Sequence, residues 1–277
     1  MNTLDRINRF IGLFLGALRN IFAGRIWLML FIYLFVNWLI LYAHHNFSSP
    51  MFYNIISIWS EIFGDKQFQF FTHYSGHFLL LGLYFGWAKF IFGFLFEGLL
   101  LGFIAREFYK RYGNTKVKFT KTLKQSWLSL IVGWLVINGL LLIISIGLPE
   151  LLKDFLWSSP RRQMVFEFLM LPSIFIFVFA LFYFVVPGIS IYGWSVLKSI
   201  SVSVKHFISN PMTCLFLAGI VLSGPILISF VNNHPEIIVE KFKPELVYIL
   251  LIGSLVLDIL ANFFWIGTSV KFLSEEE

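Results

Sequence analysis

Charge is scarce in this chain, and so are the residue patterns that mark an enzyme. Charged side chains make up 13% of the 277 residues, about half the share of a soluble domain, and 58% of residues are hydrophobic. Too few polar groups remain to cover a globule in water, so lipid must cover much of the surface. The one cysteine, Cys214, lies inside an apolar run and excludes an intrachain disulfide, which leaves the redox compartment open. No G-x-S-x-G, H-E-x-x-H, Walker A or Rossmann pattern is present. The sequence therefore points away from enzymatic activity and from a cofactor. The net charge of +6 sits beside apolar runs rather than in a polar domain, so it speaks for topology and against a nucleic-acid partner.

What the chain does have is long apolar runs. On a window of roughly 20 residues, spans are expected over 24 to 43, 77 to 104, 126 to 148, 164 to 187, 212 to 231 and 247 to 268. These are too long and too continuously apolar for barrel strands, which alternate faces over about 10 residues. The expected fold is all-α: a polytopic transmembrane helical bundle of about six spans with interfacial amphipathic helices.

Orientation follows from lysine and arginine in the connections. One side collects Arg6, Arg9, Arg19, Arg25, Arg106, Lys110, Arg111, Lys116, Lys118, Lys121, Lys124, Lys198, Lys205 and Lys271. The other holds Lys66, Lys153, Arg161, Arg162, Lys241 and Lys243. With Lys89 set aside, these fourteen and six make up the 21 basic residues and predict both termini on the cytoplasmic side of an inner membrane. Arginines interrupt the first apolar stretch and no small-x-small site follows the first span, so no cleavable signal is expected.

The segment before each outward span reads as an amphipathic helix. Leu4, Ile7, Ile11, Phe14, Leu15, Leu18 and Phe22 recur at helical spacing, as do Phe119, Leu123 and Trp127, and again Val196, Leu197, Ile200, Val204, Phe207 and Ile208. Lysine or arginine is expected on the opposite face, where it could hold anionic lipid, or the apolar faces could simply pack under the bundle. The segments end alike in Leu18-Arg19-Asn20, Leu123-Lys124-Gln125 and Val204-Lys205-His206. The chain thus reads as a single membrane domain, 1 to 277, with a threefold internal repeat over 1 to 105, 106 to 190 and 191 to 277.

Val185-Val186-Pro187-Gly188, then Trp194-Ser195-Val196-Leu197-Lys198-Ser199-Ile200 and Lys205 to Asn210-Pro211, carry a family likeness. The stretch 180 to 230 resembles bacterial polytopic membrane families of uncharacterised function, and is similar to the membrane domain fused to some glycerophosphodiester phosphodiesterases. Residues 104 to 142 are a fainter echo. The resemblance implies a helical membrane domain and no particular chemistry.

Ionisable groups within the spans are the main functional lead, because each costs at least ~2.5 kcal/mol unless paired or wetted. Lys89 and Asp258 are expected at similar depth and able to form an ion pair. Asn262 shares a face with Asp258, Asn138 lies mid-way along the third span, and Glu97 is about 12 Å further along than Lys89 and turned away from it. These five either line a polar pathway or glue spans together.

Histidines are a second lead. His44, His45, His73 and His77 gather at one end of two spans, where imidazoles bind metal or haem, sense acid, or merely reach headgroups. No ligand-spaced cysteine or carboxylate joins them, so no metal is assigned. The run His73-Tyr74-Ser75-Gly76-His77 sets Ser-Gly beside histidine as intramembrane serine proteases do, without a second motif. Between these spans, Ser49 is expected to cap a helix starting at Pro50, with Met51, Phe52, Ile55, Ile56, Trp59, Ile62 and Phe63 as its apolar face and Gly64-Asp65 at its end. Pro172 and Pro225 are expected to interrupt the fourth and fifth spans.

The function these features favour is a transport-related or scaffold subunit of a membrane assembly, without enzymatic activity, whose partners are other membrane-protein subunits and membrane lipids, anionic ones included. A stand-alone carrier or channel for a small ion or lipid-like substrate is the alternative, and an intramembrane enzyme the third class.

Overall fold

The computed structural model describes residues 3–113, 119–156 and 158–275, and every regular element among them is helical. In chain order these are α1 (Thr3–Leu18), α2 (Gly24–His45), α3 (Pro50–Ile56), α4 (Ile58–Phe63), α5 (Asp65–Thr72), α6 (Tyr74–Arg111), α7 (Phe119–Leu151), α8 (Lys153–Leu156) and α9 (Pro160–Val165). A π-helical turn, Phe166–Met170, leads into α10 (Leu171–Leu181), followed by α11 (Val185–Tyr192), α12 (Val196–Ser209), α13 (Pro211–Asn233), α14 (Pro235–Lys241) and α15 (Leu246–Glu275).

Among the described residues, six stretches are long and apolar enough to cross a membrane: Gly24–His45, Tyr74–Arg111, Ser126–Leu151, Pro160–Tyr192, Pro211–Ile228 and Leu246–Glu275. The protein is thus an all-α, multi-pass membrane bundle. Its chain divides into two compact units, each drawn from several segments. The expected repeat boundaries, after 105 and after 190, fall inside α6 and α11.

The first unit comprises residues 1–30, 94–223 and 260–277. Its helices approach closely where small residues replace large ones. Gly98 and Gly102, one helical turn apart on α6, face α7 so tightly that a methyl group at Gly98 would stand 2.7 Å from the Leu130 carbonyl oxygen. Gly133 of α7 admits the Ile189 side chain of α11 in the same way. Between α10 and α11 the fourth span breaks at Phe182–Phe184, and α11 is buried from Val185 to Ile191. Gly193, with φ of +65°, ends α11 in the left-handed conformation that a side chain would strain, and Ser195 caps α12 by accepting from the Lys198 amide.

The second unit comprises residues 31–93 and 224–259. Its core gathers aromatic rings from α4, α5 and α6, with Trp59 stacked on Tyr84 at 5.9 Å and Phe71 fully buried beside them. Trp59 and Ile56 enter this core, whereas Met51, Ile55 and Ile62 remain exposed, so only part of the expected loop face is covered. Ser49 precedes Pro50 in extended conformation but makes no side-chain capping bond, and the expected single helix is two, α3 and α4, joined at Ser57. Gly64, at φ +88°, ends α4.

Other expectations are also corrected. Pro172 does not break the fourth span. It follows the π-helical turn, whose widened hydrogen-bond pattern suits a residue without an N–H, and the break comes ten residues later. Pro225 lies within a continuous α13. The segment 119 to 127 is no separate helix but the first turns of α7, and the side chains of Phe119, Leu123, Lys118, Lys121 and Lys124 lie outside the described residues, as do those of Leu4, Arg6, Ile7 and Lys116.

Candidate functional site

Lys89 of α6 donates to Asp258 Oδ2 of α15 within the second unit. Each side chain extends from a buried stretch, Phe85 and Ala88 before the lysine, Leu255 and Ile259 around the aspartate. The pair is not sealed, since the two side chains keep 26% and 18% of their exposure. Opposite charges in such a setting attract one another and fix the register of two helices.

Glu97, Asn138 and Asn262 belong to the first unit, so the five polar positions do not fall in one compact unit. All three are half-buried. Asn138 donates to the carbonyl of Trp134, one turn back on α7, at 3.1 Å. That bond uses the amide within its own helix.

Three of the four clustered histidines make specific side-chain contacts in the second unit. A carbonyl can only accept, so the 2.7 Å contact of His44 Nδ1 with the Ile40 carbonyl oxygen places the proton on Nδ1. His44 Nε2 must then be bare, and it accepts from Trp59 Nε1 at 2.9 Å. His45 Nδ1 and His77 Nε2 meet at 3.2 Å, one donating and one accepting, with the Tyr248 ring stacked 4.1 Å from His45. His77 Nδ1 is buried without a hydrogen-bond partner, among the rings of Phe47, Phe71 and Phe78. His73, at the end of α5, is exposed. Among the described residues no three histidine, cysteine, aspartate or glutamate side chains are placed to hold a metal ion. Nearby, Tyr74 donates its hydroxyl to the exposed Glu245 carboxylate, which lowers that carboxyl below the usual range.

A buried polar centre of the first unit went unrecognised in the sequence, where Arg106 counted only as a topology charge. Arg106 is almost fully buried and donates from Nε to the Ser190 carbonyl at 2.9 Å and from Nη2 to Ser126 Oγ at 3.2 Å. Ser190 Oγ in turn donates to the Gly102 carbonyl. The signal was available: Gly98, Gly102 and Arg106 recur every four residues, so the arginine continues the face that the glycines press into the protein.

The break in the fourth span is served by the same unit. Ser203 Oγ of α12 donates to the Leu181 carbonyl at 2.7 Å and accepts from the Phe184 amide at 3.2 Å. Trp265 Nε1 donates to the Tyr183 carbonyl at 2.9 Å, and the Tyr183 hydroxyl meets Thr268 Oγ1 at 2.7 Å. Main chain freed by a break inside an apolar protein has no water to turn to, and these side chains replace it. At the end of α6, burial pushes the Tyr112 hydroxyl's pKa upward while it donates to the Gly267 carbonyl at 3.2 Å.

No protein-family model matches the chain, and comparisons with curated proteins and with solved structures gave no match.

Proposed function

We propose that this chain is a scaffold or transport-related subunit of an inner-membrane assembly, with both termini on the cytoplasmic side and no catalytic activity of its own. One observation carries the reading: three polar groups set into its spans bond the protein itself. Lys89 bonds Asp258, Arg106 bonds a main-chain carbonyl, and Asn138 bonds its own helix. The first two contacts hold helices in register, and the third keeps its amide occupied within one helix. The excess of basic residues at one end of the spans supports the orientation. The resemblance of 180 to 230 to the membrane domain attached to some glycerophosphodiester phosphodiesterases is in keeping with a non-catalytic membrane part.

The partial exposure of Lys89 and Asp258 favours a second reading, a carrier or channel for a small ion or lipid-like substrate, in which solvent reaches the pair. Purification in mild detergent from the native host separates the two. Stoichiometric co-purification of other membrane subunits supports the assembly. A chain that purifies alone and, once reconstituted, moves an ion in a manner lost with Lys89→Met and Asp258→Leu together would replace it with the carrier.

A further inference from the structure

The burial of α12 follows its hydropathy only in part. A helix that merely packs under a bundle hides its large apolar residues and turns its small polar ones outward. Here Ser199 and Ser203 are buried against the broken fourth span and Val196, Ile200, Val204 and Phe207 are half-buried, while Leu197 is 81% and Ile208 71% exposed. Lys198, Ser201 and Lys205 share that exposed side. Positions 197, 201, 205 and 208 follow one another at helical spacing, so the lysines stand beside the exposed apolar residues and not opposite them.

Large apolar side chains interleaved with lysines suit neither bulk water nor hydrocarbon, but they match the boundary between headgroups and acyl chains. Trp194, just before the helix, extends the same face: Lys198 Nζ lies 5.4 Å from its ring centroid, and tryptophan favours this boundary. From Phe168 to Pro235 the chain contains no aspartate or glutamate, so no carboxylate of the surrounding sequence neutralises the two lysines.

We infer that the outward face of α12 binds anionic phospholipid, with Lys198 and Lys205 meeting the headgroups and Leu197 and Ile208 entering the acyl boundary. The inference rests on the membrane reading above but needs no partner subunit. It names the lipid class that the proposed membrane protein holds at this end.

The test uses the full chain purified in mild detergent, with lipid retention measured by native mass spectrometry after adding phosphatidylglycerol or phosphatidylcholine. Lys198→Gln with Lys205→Gln should lower phosphatidylglycerol retention by about fivefold per lysine and leave phosphatidylcholine unchanged. Leu197→Ser with Ile208→Ser should lower retention of both lipids. Unchanged phosphatidylglycerol retention in the glutamine variant, or an equal fall for phosphatidylcholine, overturns the inference. Should the glutamine variant lose its helical signal, the wild-type chain decides alone: phosphatidylglycerol must be released as salt rises, and retention indifferent to salt overturns the inference. A chain that holds phosphatidylglycerol selectively but brings no subunit with it would remove the assembly reading and leave this one standing.

Discussion

Bonds that join different helices run mainly to main chain in the first unit, and from side chain to side chain in the second. Arg106, Ser203 and Trp265 each meet a backbone group left open by a helix end or break. Lys89 with Asp258, His45 with His77 and Trp59 with His44 are side chain to side chain. The difference sets how each unit can be damaged. A side-chain pair can be removed from both ends, leaving nothing orphaned, whereas a carbonyl cannot be mutated away.

The largest effect should therefore come from Arg106→Met. It leaves the Ser190 carbonyl and Ser126 without the guanidinium, and hydrogen bonds to charged groups contribute about 1.5–3 kcal/mol each, so a loss of about 3 kcal/mol or more is expected. Adding Ser126→Ala should not restore stability, because the carbonyl stays open. Arg106→Lys should recover only part, since an ammonium lacks the planar fork. Thermal unfolding in detergent measures all three. Rescue by Ser126→Ala would show that the carbonyl contact contributes little.

Lys89→Met should come next, at about 2.5 kcal/mol, by stranding Asp258. The double variant Lys89→Met with Asp258→Leu should regain most of that loss. A double variant no more stable than the single one would erase the contrast between the units.

Glycine substitutions sharpen the comparison at smaller scale. Gly98→Ala forces a methyl against the Leu130 carbonyl, and separating α6 from α7 should cost about 1–3 kcal/mol. Gly86 of the second unit has no neighbour within 4 Å of an added methyl, so Gly86→Ala should be neutral or stabilise by up to about 1 kcal/mol through helix propensity. Equal melting shifts for both would mean that the α6–α7 approach has slack.

Parts of this arrangement were legible in the sequence because they depend on length and composition alone. The expected run 24 to 43 falls within α2, Gly24–His45, because a spanning helix is defined by about 20 apolar residues whatever it touches. The meeting of Lys89 with Asp258 followed from depth along two spans and opposite charge. The break at Phe182–Phe184 was not legible. Neither Pro172 nor Pro187 marks it, and the groups that make it tolerable, Ser203 and Trp265, are distant in the chain. On α12 the expected apolar face is half-buried at Val196, Ile200, Val204 and Phe207 but not at Leu197 and Ile208, because the rule that apolar residues turn inward presumes water outside. In a bilayer that presumption does not hold, and the small Ser199 and Ser203 become the most buried positions.

The smallest expected effect is a pH dependence at the surface of the second unit. The Tyr74 hydroxyl donates to Glu245 and so favours its charged form, which is why the folded-state pKa of this carboxyl lies below its ordinary value. A group with a depressed folded pKa adds stability that is fully present above its unfolded pKa and is lost as pH falls through the folded one. Melting temperature should accordingly decline slightly between about pH 6 and about pH 3.5, where ordinary carboxylates begin to protonate. Other carboxylates contribute to the same decline, so the informative quantity is the difference from Tyr74→Phe. That variant lacks the donor, should start marginally less stable at neutral pH, and should lose less on acidification, so the two curves converge in acid. Parallel curves would show that solvent already satisfies the exposed Glu245 carboxylate and that the Tyr74 bond adds nothing to the fold.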